Sequence, residues 1–224
     1  TDRVALATGG IVLPLRHPLH VAKAAASVDR LSDDRLVLGV ASGDRSPEYE
    51  AFGVDEDEAG ELFREHVRTL RTLWSESYPE LETSVGRLDG SLDLLPKPTA
   101  GTIPLLVTGH ARQSLPWIAE NGDGWVYYQR DLDGLADQIE EWRTLAGEKP
   151  YVQVLHVALA EDPTAGPERV HQGYAAGSEW LLDHVRDLRE AGVDHVMINV
   201  RKTDASRDTQ AVLRQFAGEV LDEL

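Results

Sequence analysis

Short, continuously apolar runs alternate along the chain with longer segments in which apolar positions recur every three or four residues. The first kind predicts strands buried on both faces, and the second predicts helices that bury one face. Residues 3–13 (RVALATGGIVL) read as a strand running into glycines. Residues 18–31 read as a helix. Pro18 suits the first turn, where its missing N–H costs nothing, and Val21, Ala25, Val28 and Leu31 recur at helical spacing. A strand follows at 35–40 (RLVLGV), then an acidic loop at 44–58. A helix at 61–75 places Leu62, Phe63, Val67, Leu70 and Trp74 on its inner side. Residues 78–100, with two prolines bracketing Lys97, are too long for a tight connection and read as a small insertion. Further strands are predicted at 103–107, 125–128, 152–159 and 195–200. Further helices are predicted at 114–121, at 132–145 with Leu135, Ile139, Trp142 and Leu145 inward, at 168–191 as one helix or a pair, and at 209–224.

Repeated βα units imply a parallel sheet with right-handed crossovers, either closed into a barrel or open and doubly wound. An open sheet usually carries a phosphate loop such as G-x-G-x-x-G, and none occurs here. Small or polar residues instead end several different strands: Thr8-Gly9-Gly10, Ser42-Gly43-Asp44 and Thr108-Gly109-His110. A site shared among many strand ends is the habit of the (β/α)8 TIM barrel. The expected fold class is therefore α/β, a barrel with about six of its eight strands in this chain. No internal repeat or low-complexity linker marks a boundary, so residues 1–224 read as a single domain.

Composition narrows the function classes. The 224 residues hold no cysteine, which removes disulfides and thiolate metal sites. His17 and His20 are three apart with no convincing third ligand, so no metal is expected. No apolar run approaches the roughly 20 residues that span a bilayer, and no signal-peptide pattern is visible. A cytoplasmic protein is the expectation. The net charge of −17 argues against nucleic acid or an anionic membrane as partner. Eighteen arginines stand against four lysines, a bias that fits either a salt-rich cytoplasm or a GC-rich genome.

The run ATGGIVLPLRHPLHVAKAAASVDRLSDDRLVLGVASGD, Ala7 to Asp44, resembles the core signature of the bacterial luciferase-like flavin monooxygenase superfamily. Members of that family have a strand ending in T-G, a helix opening with H-P, and a strand reading G-R-x-x-L-G-V-G-x-G. Here Asp34 and Ala41 stand where two of those glycines occur. Further matches follow in order: Phe52-Gly53, Pro96-Lys97-Pro98, the strand ending Thr108-Gly109, Gly122-Asp123-Gly124-Trp125, and Ala191-Gly192-Val193-Asp194-His195-Val196. Each is weak alone, and their order makes the match specific. The family's barrel has two βα units before the T-G strand, so the first quarter is expected to be missing from this chain.

The resemblance implies a flavin at the strand ends. The isoalloxazine ring would lie against Gly9, Gly10 and Ile11, with Thr8 ending the strand beneath it. Ser42 and Gly43 would meet the ring edge or a ribityl hydroxyl, although a turn serine reads equally well. Thr108, Gly109, His110, Ala111 and Arg112 would take the phosphate at the entry to the next helix. Asp123 and Asp194 read as residues that fix turns before strands, and Trp117, Trp125 and Trp142 as core. No catalytic residue is assigned.

The resemblance further implies a flavin-dependent oxidoreductase or monooxygenase, using reduced FMN and oxygen on a small organic substrate. A flavin reductase could supply the cofactor, and a homodimer is expected. Two alternatives stay open: hydride transfer with the deazaflavin coenzyme, and a non-catalytic flavin-binding barrel protein.

Overall fold

The computed structural model describes residues 2–128, 130–202 and 208–224. It divides into two compact units, one ending at Trp125 and one starting at Val126.

The first unit begins with β1 (Leu6–Val12), a 3-10 turn at Leu13–Leu15 and α1 (Pro18–Ser32). It continues with β2 (Leu36–Ala41), α2 (Ser46–Phe52), a second 3-10 turn at Glu56–Glu58 and α3 (Ala59–Ser75). Then come β3 (Glu80–Thr83), β4 (Gly86–Asp89), β5 (Leu105–Thr108) and α4 (Leu115–Asn121), with β6 (Gly124–Tyr127) starting at the unit's end. β1 pairs with β2 and β2 with β5, both parallel. The β1–β2 register breaks between Thr8 and Ile11, so Gly9 and Gly10 form a bulge.

Local chemistry explains these elements. The His17 ring Nδ1 accepts from the Leu19 N–H at 3.3 Å and caps α1, with Pro18 in the first turn. Asp33, in left-handed conformation, ends it. Ala22, Ala25 and Ala26 are buried on α1, and the small side chains let α3 approach; the Trp74 indole N–H donates to the Ala22 carbonyl at 3.1 Å. Phe63, Val67, Leu70 and Leu73 fill the inner stripe of α3. Each such side chain contributes about 1.5–3 kcal/mol on burial. The Lys97 ammonium donates to the Leu73 and Glu76 carbonyls and pairs with Asp93, satisfying the free end of α3.

The second unit contains α5 (Leu132–Ala146), β7 (Tyr151–Leu159), β8 (Glu168–Val170), β9 (Gly173–Ala176), α6 (Ser178–Glu190), β10 (His195–Lys202) and α7 (Thr209–Glu219). β7 pairs in parallel with β10 from end to end and with β9 over 156–159, and β8 closes antiparallel on β9.

One device recurs in both units. The Asp123 carboxylate accepts from the Leu105 N–H at 2.8 Å and from Arg71 at 2.9 Å. The Asp194 carboxylate accepts from the Tyr151 N–H and from Arg143, both at 2.6 Å. Each aspartate, expected to fix the turn before its own strand, instead holds the first residue of another strand, Leu105 of β5 or Tyr151 of β7.

Several expectations need correction. The acidic stretch 44–58 contains α2, started by Ser46-Pro47 and ended by Gly53 in left-handed conformation. Residues 168–191 are a β-hairpin followed by α6, because Gly173 lies against β7 so closely that a Cβ would come within 1.7 Å of the His156 carbonyl oxygen. Val28 and Leu31 are exposed, since the buried stripe of α1 runs through the alanines and Asp29. Leu145 is likewise exposed. The 78–100 insertion is real and folds as the β3–β4 hairpin plus an irregular return.

Candidate functional site

The residues singled out at three strand ends come together in the first unit. Register places Val12 beside Ala41 and Val40 beside Val107, so the carboxyl ends of β1, β2 and β5 are neighbours. The Thr8 hydroxyl donates to the Gly39 carbonyl at 3.0 Å, and the Thr108 hydroxyl to the Gly9 carbonyl at 3.3 Å. The bulge is therefore tied to β2 and, beyond it, to Thr108 at the end of β5. A Cβ built on Gly39 would meet the Thr8 carbonyl oxygen at 2.2 Å, so glycine in β2 is what seats the bulge. Gly9 and Gly10 are exposed, and a Cβ on Gly9 would meet nothing within 4 Å. The bulge thus offers bare backbone to a flat ligand. Ile11 and Val12 are half-buried at its end.

At the end of β2, Ser42 is buried, and its carbonyl accepts from the Tyr49 hydroxyl. Its own hydroxyl makes a long contact, 3.5 Å, to the Gly43 carbonyl. Gly43 has φ +94°, and a Cβ there would press on Val12 and the Tyr49 hydroxyl at 2.9 and 3.0 Å. Tyr49, held under this turn by α2, has its pKa raised by burial.

Beyond β5 the chain turns through Gly109, His110, Ala111 and Arg112. Gly109, Ala111 and Arg112 all have positive φ. The Trp125 indole N–H donates to the Gly109 carbonyl at 2.7 Å, and the exposed His110 ring lies 5.6 Å from the Trp125 ring. The Arg112 guanidinium pairs with Glu56 at 2.7 Å and lies 5.8 Å from the Tyr49 ring centroid. The Ser46 hydroxyl and Arg112 hold the Glu56 carboxyl below the usual carboxylate range. Ser114 caps α4 through the Trp117 N–H at 3.4 Å.

Four residues of this site carried no sequence signal: Tyr49, Glu56, Gln113 and His66. The first two sit in the stretch read as loop. Gln113 is buried, and its amide donates to the Gly60 and Ala111 carbonyls at 2.9 and 3.0 Å while accepting from Arg64. His66 lies on the inner face of α3, and its Nδ1 meets the carbonyl of Leu13, just after the bulge strand, at 2.9 Å. The carbonyl can only accept, so Nδ1–H is the donor, and burial lowers the pKa of the ring. The hydrophobic spacing of α3 assigns position 66 to the core, but nothing in the sequence names its partner.

Comparison with known proteins supplies the family. The chain is 36% identical over 107 residues to the oxygenase component of a flavin-dependent trigonelline monooxygenase from Acinetobacter baylyi, covering 47% of this chain and 28% of that protein. It is 33% identical over 135 residues to an uncharacterised protein of Mycobacterium tuberculosis, covering 59% of this chain and 47% of that one. The matched region thus spans less than half of each relative's length. The monooxygenase RslO1 of Streptomyces bottropensis superposes with a TM-score of 0.81 at 21% identity, over 99% of this chain and 79% of that one. An F420-dependent secondary alcohol dehydrogenase superposes with a TM-score of 0.78 at 17% identity, over 100% and 81%. The fold is the luciferase-like α/β barrel type. The model of the luciferase-like monooxygenase family matches residues 1–224, and the chain belongs to that family.

Proposed function

We propose that this chain carries the flavin site of an oxidoreductase, a monooxygenase that uses reduced FMN and oxygen on a small organic substrate. The observation that carries the reading is the convergence of three strand ends on the exposed Gly9–Gly10 backbone, with a turn of positive-φ residues alongside. The isoalloxazine ring would lie on Gly9, Gly10 and Ile11 above Thr8. Ser42 and Gly43 would face its polar edge. The turn from Thr108 through Gly109, His110, Ala111 and Arg112 would take the phosphate. The flavin, when bound, supplies the electron pair and the reaction with oxygen. The protein's share is to bind and orient the cofactor and to keep water from its face. The designation of the Acinetobacter relative as an oxygenase component supports a separate partner that delivers reduced flavin. The same bare backbone would accept a deazaflavin, and the F420-dependent dehydrogenase among the structural neighbours favours that as the second reading.

Titration of the purified protein with FMN and with the deazaflavin coenzyme, read by absorbance, decides between them. A saturable spectral shift with FMN alone is expected. A shift with the deazaflavin alone moves the assignment to hydride transfer, and a shift with neither overturns the site. Gly109→Val, at a φ of +62° that a β-branched residue resists, should weaken binding about tenfold, or ~1.4 kcal/mol.

A further inference from the structure

The turn after β5 is built from the wrong residues for its shape. The Gln113 N–H donates to the His110 carbonyl at 2.7 Å, closing a four-residue turn whose two central residues, Ala111 and Arg112, have φ of +46° and +58°. Two consecutive positive φ values are the mark of a type I′ turn, which selects asparagine, aspartate and glycine. Alanine and arginine are both strained there, because the Cβ crowds the following carbonyl. Such a conformation persists only where its surroundings over-determine it.

The surroundings are specific. The buried Gln113 amide donates to the Ala111 carbonyl and to Gly60, and its oxygen accepts from Arg64. The Gly60 position leaves room for this: a Cβ there would stand 3.3 Å from the Arg112 Cβ. The Arg112 guanidinium reaches across to Glu56 and over the Tyr49 ring. Tyr49 in turn donates to the Ser42 carbonyl. One chain of contacts therefore links the turn after β5 to the turn after β2.

We propose that Arg112 and Gln113 are positioning residues. They hold the Ala111–Arg112 backbone in its left-handed form, so that the N–H groups of this turn, rather than the Arg112 charge, receive the cofactor's phosphate. This rests on the flavin reading above for the identity of the ligand, but not for the mechanics of the turn.

Glu56→Gln separates the two roles, because they predict opposite signs. If the Arg112 guanidinium were the phosphate ligand, removing its competing carboxylate would tighten FMN binding. If Arg112 positions the turn, losing the pair loosens it. The expected result is FMN binding weakened about threefold to fivefold, the size of a partly exposed ion pair. Riboflavin, which lacks the phosphate, should change by less than about twofold, since its ring contacts the bulge of β1. Gln113→Glu keeps the acceptor for Arg64 and removes both donors. It should weaken FMN about tenfold and spare riboflavin. Unchanged or tighter FMN binding in Glu56→Gln overturns the proposal, as does an equal loss for both ligands. If the parent protein binds no flavin, the functional reading fails, and amide hydrogen exchange at residues 109–113 tests the positioning role directly. Faster exchange in Glu56→Gln supports it, and unchanged exchange overturns it.

Discussion

After β1 the backbone is laid bare by leaving side chains out. Gly9 and Gly10 are exposed, and the bulge is held from below by the hydroxyls of Thr8 and Thr108 and by the absence of a side chain at Gly39. After β5 the backbone is bent by holding side chains in. Ala111 and Arg112 take left-handed conformations that Gln113, in the same turn, and Glu56, in the 3-10 turn before α3, hold in place. Glycine lowers the conformational cost locally, while a buried amide and an ion pair offset it through long-range contacts. The first solution rests on residues of the strands themselves, Thr8, Gly39 and Thr108. The second rests on contacts with Tyr49 of α2, with Glu56 and with Gly60 and Arg64 of α3.

The largest expected effect breaks the first side of this contrast. Gly39→Val would drive a side chain into the Thr8 carbonyl, 2.2 Å from the added Cβ. Urea denaturation should show a loss of about 3 kcal/mol, the upper range for overpacking. A loss below about 1 kcal/mol would mean that the bulge moves aside and does not depend on its glycine seat.

A smaller effect concerns pH. His66 supports the Leu13 carbonyl after the bulge, whereas the exposed His110 is the histidine of the β5 turn. Burial lowers the folded-state pKa of His66 below the ordinary 6.5, and it does the same for His184 in the second unit. Below that ordinary value the unfolded chain takes up protons that the folded chain refuses. These groups therefore contribute full stability above about pH 6.5 and lose it as pH falls toward their folded-state values. Each should add up to about 1.4 kcal/mol per pH unit to the slope in that window. Denaturation midpoints from pH 7.5 to 5.5 for the parent and for His66→Gln check this. Identical slopes would show that His66 is not buried as a neutral ring.

The smallest effects sharpen the contrast itself. Ala111→Gly relieves a left-handed alanine and should raise stability by about 0.5–1 kcal/mol, net of the added freedom of the unfolded chain. Gly9→Ala meets no neighbour and should change stability by less than about 0.5 kcal/mol. Thermal melts measure both. A stabilising Gly9→Ala with a neutral Ala111→Gly would reverse the assignment of where the strain lies.

The sequence by itself determined the order of the parallel strands and of the helices that follow them, though not α2 or the two hairpins, because the apolar spacing of a buried strand and of a one-sided helix is local and periodic. It also determined which strand ends are small or polar, and it marked Asp123 and Asp194 as turn residues before strands, while only the structure showed that they anchor the starts of β5 and β7. The family followed from motif order over the whole chain. Only the tertiary structure decided which side chains act at those ends. Arg112 looks in the sequence like a free charge beside a phosphate turn, yet it pairs with Glu56, 56 residues away in a stretch that reads as loop. The spacing of α1 points to Val28 and Leu31, yet its alanines meet the core. Residues 168–176 carry helix-like spacing and become a hairpin because β7 accepts β9 at its edge. In each case the outcome depends on a partner brought close by the fold, and local spacing along the chain holds no record of that partner.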